Sequence, residues 1–142
     1  MPHPMNKDMM RGLLCCALEG GSNYWYHGLA PHTLPEGVSY ADFQEGGQFA
    51  DPDEYWHPLE LIATTPKCKV SLKADDYGDE SDPAWDTESE CFVFGLKELR
   101  AGLEVMRKKY PHHWKDHCDE NSDATTGDVF LQCALFGELV FG

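Results

Sequence analysis

Met10, Leu13, Leu14, Ala17 and Leu18 recur at three- and four-residue spacing. That pattern predicts a helix with one buried stripe, running from a cap at Asn6 to about Leu18. A second stripe, Leu96, Leu99, Leu103, Met106 and Tyr110, predicts a helix from Leu96 to Tyr110. Gly102 in its middle costs about 1 kcal/mol relative to Ala, which suggests a close crossing with another element. Arg107, Lys108 and Lys109 suit the negative end of this helix dipole. Pro111 then opens a short helix carrying His112, His113, Trp114, His117 and Cys118. From Val129 to Phe141 the chain is apolar nearly all round and reads as the central, buried helix. Thr125 with Asp128 fits a capping box at its start. Gln132 and Glu138 are its only polar side chains, and both are expected at a solvent edge.

Strand patterns lie between these helices. Leu59 to Thr64 and Lys69 to Ala74 flank Thr65-Pro66-Lys67-Cys68, with Leu61, Val70 and Leu72 set to face one side, and predict a hairpin. Glu90 to Phe94 reads as a third strand. Prolines and glycines punctuate His27 to Pro58, so this stretch is expected to be an ordered loop packed by Tyr40, Phe43, Phe49, Tyr55 and Trp56. Met1 to Met5, with two prolines, should be loose. The predicted fold is α+β: a small antiparallel sheet of about three strands packed with about four helices, in one domain spanning residues 1–142.

Composition narrows the function classes. With 142 residues, 42% hydrophobic and 12% aromatic, the chain can bury a core without staples. Twenty-five acidic against eleven basic residues give a formal charge of −14, which excludes a surface that tracks phosphates directly. Asp75, Asp76, Asp79, Glu80, Asp82, Asp86, Glu88 and Glu90 form an acidic run without a base. It fails as an EF-hand, because Tyr77 and Glu80 stand where an oxygen ligand and the required glycine belong. Cys15, Cys16, Cys68, Cys91, Cys118 and Cys133 sit in apolar or helical stretches without a Cys-x-x-Cys, as expected of free thiols in the cytoplasm. No stretch reaches membrane-spanning length or has the order of an export signal.

The candidate chemistry gathers where the first helix stops. Glu19-Gly20-Gly21-Ser22-Asn23-Tyr24-Trp25-Tyr26 combines glycines that let a ligand approach the backbone, short donors and acceptors, and flat aromatic faces. Helix termination alone would also account for Gly-Gly, and a core for the aromatics. Glu19 opposes the negative end of its own helix, so it must be exposed or held from elsewhere. A second small-residue turn, Asp123 to Asp128, precedes the last helix. Thr125, Thr126 and the amide of Gly127 are placed to hold a phosphate or carboxylate there, with Asp128 opposing. The expected ligand-binding set is Glu19, Gly20, Gly21, Ser22, Asn23, Trp25, Asp123, Thr125, Thr126 and Asp128. His113 and His117, one helical turn apart beside Cys118 and Asp119, are the residues best placed to ligate zinc. They lack a zincin glutamate and a third ligand, so no metal is expected. The glycine-rich and nucleophile-elbow motifs are absent, so no cofactor is expected and binding is favoured over catalysis.

Ala17 to Trp25 and Asp128-Val129-Phe130-Leu131-Gln132-Cys133-Ala134-Leu135-Phe136-Gly137-Glu138 resemble uncharacterised small proteins encoded by bacteriophages and prophages. The resemblance covers the two ends of the chain; the middle loops match nothing. It implies a small phage accessory protein in the host cytoplasm, a group in which inhibitors of host defence are common. The first reading is therefore a module that binds or sequesters a small polar, nucleotide-like ligand. The alternatives are an acidic inhibitor of a host defence protein that imitates nucleic acid, or a small hydrolase using Glu19 or the His113/His117 pair. Self-association is left open.

Overall fold

The computed structural model describes residues 3, 6–50 and 56–142. Among them are five α-helices and one four-stranded antiparallel sheet, in keeping with the predicted α+β class. Apart from His3, the expected loose segment Met1 to Met5 lies outside the described residues, as do Pro52 and Tyr55.

Helix α1, Lys7–Cys16, starts at Asn6, whose side chain accepts from the Asp8 amide at 2.7 Å. It runs into a π-helical turn, Ala17–Gly21. Strand β1, Tyr26–Thr33, follows and pairs with β2, Lys69–Ala74. The sheet order is β1-β2-β4-β3, with β3 at Trp85–Asp86 and β4 at Cys91–Phe94. Helices α3, Leu96–Lys109, α4, Pro111–Cys118, and α5, Ala124–Phe136, complete the chain. Helix α5 is central, with α1, α3, α4 and β4 packed on it. All its residues from Thr126 to Phe136 are buried.

Two expectations change. Leu59 to Thr64 is not the first strand of a hairpin: Pro58–Ala63 is helix α2. Pro58 sits in its first turn, the His57 imidazole accepts from the Leu59 amide, and Glu60 reaches back to the His57 amide at 3.4 Å. A proline pre-set for helix and a reciprocal cap outweigh a short apolar run that suits either element. The true partner of β2 is β1, which lies within the expected loop. An edge strand tolerates Gly28 and Pro31, because one side of its ladder is unpaired and its register shifts twice against β2. The rest of that loop is held by aromatics as expected, with Phe43 buried and stacked on Phe49 at 5.0 Å.

The start and end of α5 also differ. Asp123, not Thr125, is the cap, accepting from the Thr126 amide at 2.9 Å. The helix stops at Phe136 because Gly137 takes a left-handed conformation, φ 77°, and the remaining residues turn back over the helix. The close crossing inferred from Gly102 is present. A Cβ there would lie 2.7 Å from Cα and Cβ of Ala134 on α5.

Candidate functional site

The two small-residue turns meet because glycines remove the atoms that would hold them apart. A Cβ on Gly21 would stand 2.0 Å from the Ala124 carbonyl oxygen, and one on Gly127 would stand 2.6 Å from the Ala17 nitrogen. The end of α1 therefore docks directly on the first turn of α5. The π turn assists: its wider spacing lets the Ser22 amide donate to Ala17 O at 2.8 Å, and turns of this kind frequently mark functional sites.

Asp128 is the centre of the junction. Its Oδ1 accepts from Ser22 Oγ at 2.8 Å, from Trp25 Nε1 at 2.7 Å and from Gln132 Nε2 at 3.1 Å, while Oδ2 accepts from Tyr24 OH at 2.7 Å. Hydrogen bonds to an ionised acceptor are about twice as strong as neutral ones, so four donors make a buried carboxylate tolerable. Partial burial and then the bond to Asp128 push the Tyr24 hydroxyl up to about 12. Gln132 is not at a solvent edge. It is fully buried, its Oε1 accepts from the Val140 and Phe141 amides at 2.8 Å each, and its Nε2 also donates to Phe141 O. It thereby folds the chain end back so that the Phe141 ring stacks on Trp25, 5.3 Å between centroids. Glu138 is exposed, as expected.

A groove of about 430 Å³ opens beside this network, lined among others by Gly21, Tyr24, His113, Thr125, Asp128 and Phe141. Of the expected ligand set, Gly21, Thr125 and Asp128 line it. Ser22, Trp25 and Thr126 lie in the interior behind it, and Trp25 is only 1% exposed. Gly20 and Asn23 are on the surface. The expected anion site at Thr125, Thr126 and Gly127 is filled by the chain itself. Asp123 Oδ1 takes the Thr126 amide and hydroxyl, at 2.9 and 3.1 Å, and the Gly127 amide donates to Asp123 O. The helix start does hold a carboxylate, that of its own cap, and these bonds hold Asp123 below the usual carboxylate range.

Glu19 belongs to a different cluster. Cys15 Sγ donates to Glu19 Oε2 at 2.9 Å, and Glu60 reaches the same place from α2. Glu60 is 1% exposed, and among the described residues its Oε2 has no hydrogen-bond partner apart from the Glu19 carboxyl. Leaving such a group unpaired costs about 1–3 kcal/mol and more when it is charged. Burial, followed by the neighbouring Glu19, pushes the Glu60 carboxyl up to about 9. Glu19 moves the other way, lowered first by its bond to Glu60 and then by Cys15. The pair thus shares one proton. Burial and Glu19 push the Cys15 thiol up to about 12, the reverse of an activated nucleophile.

On α4 the residues considered for zinc do not assemble a site. His117 is buried and packs against Trp114, and the one group of three potential ligands among the described residues is Cys15, Glu19 and Glu60. His113 instead lines the groove, with a buried Nδ1 that has no hydrogen-bond partner among the described residues. Sequence reasoning missed Glu60, Gln132 and the role of Tyr24. The signals were present: a proline followed two positions later by Glu60, and Gln132 one helical turn from Asp128 in an otherwise apolar run.

Comparison with protein-family models, curated proteins and solved structures gave no match. Among the described residues no helix is long and apolar enough to cross a membrane.

Proposed function

We propose that this chain is a binding module that captures a small, hydrogen-bond-donating polar molecule in the groove between its two turns. The observation that carries this reading is the groove itself. At about 430 Å³ it has the volume of a small-molecule site, and its wall includes the Asp128 carboxylate and the Tyr24 ring. Tyr24 is 54% exposed, so a planar ring can stack on it. Among the described residues no Lys or Arg lines the groove, and the chain carries a formal charge of −14. These features favour the base of a nucleoside or an amine over a free phosphate. The resemblance to phage-encoded proteins adds a role to the chemistry: sequestration of such a molecule in an infected cell, against host defence.

Ligand-detected NMR with a panel of nucleosides and small amines tests the proposal, using the intact chain and a Thr125→Arg variant that fills the groove from its exposed rim. Binding by one of these classes that disappears in Thr125→Arg, with stability changed by less than about 0.5 kcal/mol, is the expected result. No binding in either class, or binding indifferent to Thr125→Arg, would overturn it.

A second reading, capture of a basic protein surface, is favoured by the exposure of Asp75, Asp76, Asp79, Glu80, Glu88 and Glu90 in one acidic stretch. It predicts a salt-sensitive protein partner and no dependence on Thr125.

A further inference from the structure

We propose that Cys15, Glu19 and Glu60 form a binding site for a divalent transition-metal cation of the zinc class, separate from the groove. Cys15 and Glu19 are four residues apart and project from the same side of the first helix and its π turn. Helix α2 brings Glu60 to them, and its position is fixed twice. The cap with His57 holds its start, and Arg11 Nε donates at 2.6 Å to Thr64 Oγ1, which itself donates to Glu60 O at 2.9 Å. One donor atom from each of the three residues lies within 4.8 Å of the other two.

The Glu60 oxygen buried against Glu19 points to an occupant. It is fully enclosed and its neighbour is the Glu19 carboxylate, not a protein N–H, and two carboxylates beside a sulfur cannot all be ionised in contact without a positive charge among them. A proton meets that need in the metal-free chain. A divalent cation meets it better, because it offsets two of the three negative charges and inverts the local field that otherwise suppresses ionisation. The donor set selects the class. Calcium and magnesium take oxygen ligands, whereas one thiolate with two carboxylates suits zinc or a similar ion. A tetrahedral site with bonds of about 2.0–2.3 Å has edges of about 3.3–3.8 Å. The 2.9 Å contact from Cys15 to Glu19 need only open slightly. Glu19 is exposed, which gives the ion an entrance and leaves a fourth position for water.

The test uses the full chain stripped with a chelator and titrated with Co²⁺, then Zn²⁺. Binding of one equivalent should produce a near-ultraviolet thiolate-to-cobalt band that Zn²⁺ abolishes. Cys15→Ser should lose the band, and Glu60→Gln, which keeps the side-chain shape and removes a charged ligand, should weaken binding at least tenfold. Cys16→Ser and His113→Ala should bind as the parent does, and thermal unfolding of each variant verifies that it is folded. Absence of stoichiometric binding, a band that survives Cys15→Ser, or affinity unmoved by Glu60→Gln would each overturn the assignment.

Discussion

Trp25 Nε1 donates to Asp128 Oδ1 at 2.7 Å across 103 positions of sequence, tying the turn after the first helix to the opening of the last. The bond joins the residue with the largest apolar surface in the junction to its most polar one. Neither is independent: Trp25 supplies one of the four donors to the buried carboxylate, and Asp128 satisfies the indole nitrogen of a ring sunk between Phe136 and Phe141.

Trp25→Ala should therefore cost about 3–5 kcal/mol, a large part of the stability of a domain this size. Trp25→Phe keeps most of the packing and removes the donor, and Asp128→Asn replaces an acceptor-only group with one that also presents hydrogens to its donors. Each single change should destabilise by about 1–3 kcal/mol. Chemical denaturation of the two singles and the double should give a coupling of about 0.5–3 kcal/mol. Strict additivity would mean that the bond is incidental to the fold.

The chain end offers a second measurement. Gln132 holds the Val140 and Phe141 amides through one carbonyl oxygen. In Gln132→Leu, which keeps the buried volume, both amides should lose protection in hydrogen exchange while the α5 core retains it. Uniform loss along α5 would instead make Gln132 a general stabiliser.

Helices α1 and α3 were legible in the sequence because their evidence is periodic. The stripes from Met10 to Leu18 and from Leu96 to Tyr110 each fix a face, and Gly102 announced its crossing. Strand β1 was not legible. It is an exposed edge with a glycine and a proline, so neither alternation nor propensity marks it, and only its pairing with β2 makes it a strand. Composition put the two turns into one expected ligand-binding set, but not their direct docking through Gly21 and Gly127. What their polar groups do was not, since Ser22, Trp25 and Gln132 find their acceptor at a residue that only folding brings near. Glu19 was noticed for its conflict with the helix dipole, but Glu60, which accounts for its setting, lay hidden in a run that read as a strand.

Gly102→Ala sets helix propensity against packing. Alanine gains about 1 kcal/mol in a helix interior, but its methyl would meet the Ala134 backbone at 2.7–2.8 Å, and overpacking costs about 1–3 kcal/mol. Backbone cannot move aside as a flexible side chain can, so the variant should be destabilised. Gly20→Ala, with nothing within 4 Å of the new atom, should be neutral or slightly stabilised. Equal unfolding midpoints for the two variants would contradict the close α3–α5 crossing.

The Glu60 carboxyl should give stability a pH dependence opposite to that of an ordinary salt-bridged acid. Its folded value is pushed up to about 9 from 4.5, so between those values the folded chain keeps a proton that the unfolded chain has released. Stability contributed by this group therefore falls as pH rises through the window. Below 4.5 both states are protonated and the contribution vanishes; above about 9 the full penalty is felt. Glu19 is held below its ordinary 4.5, so its contribution has the other sign, present above that value and lost on further acidification. Glu60→Gln separates the two, because the amide can still donate to Glu19 but has no proton to lose. With chelator present to keep cations away, Glu60→Gln should match the parent in acid and exceed it by about 1–3 kcal/mol near neutrality, the usual cost of an uncompensated buried polar group. The gap should widen up to about pH 9 and then level off. Denaturant midpoints collected across this range measure the difference directly. A gap that stays constant from acid to alkali would show that Glu60 does not hold the shared proton.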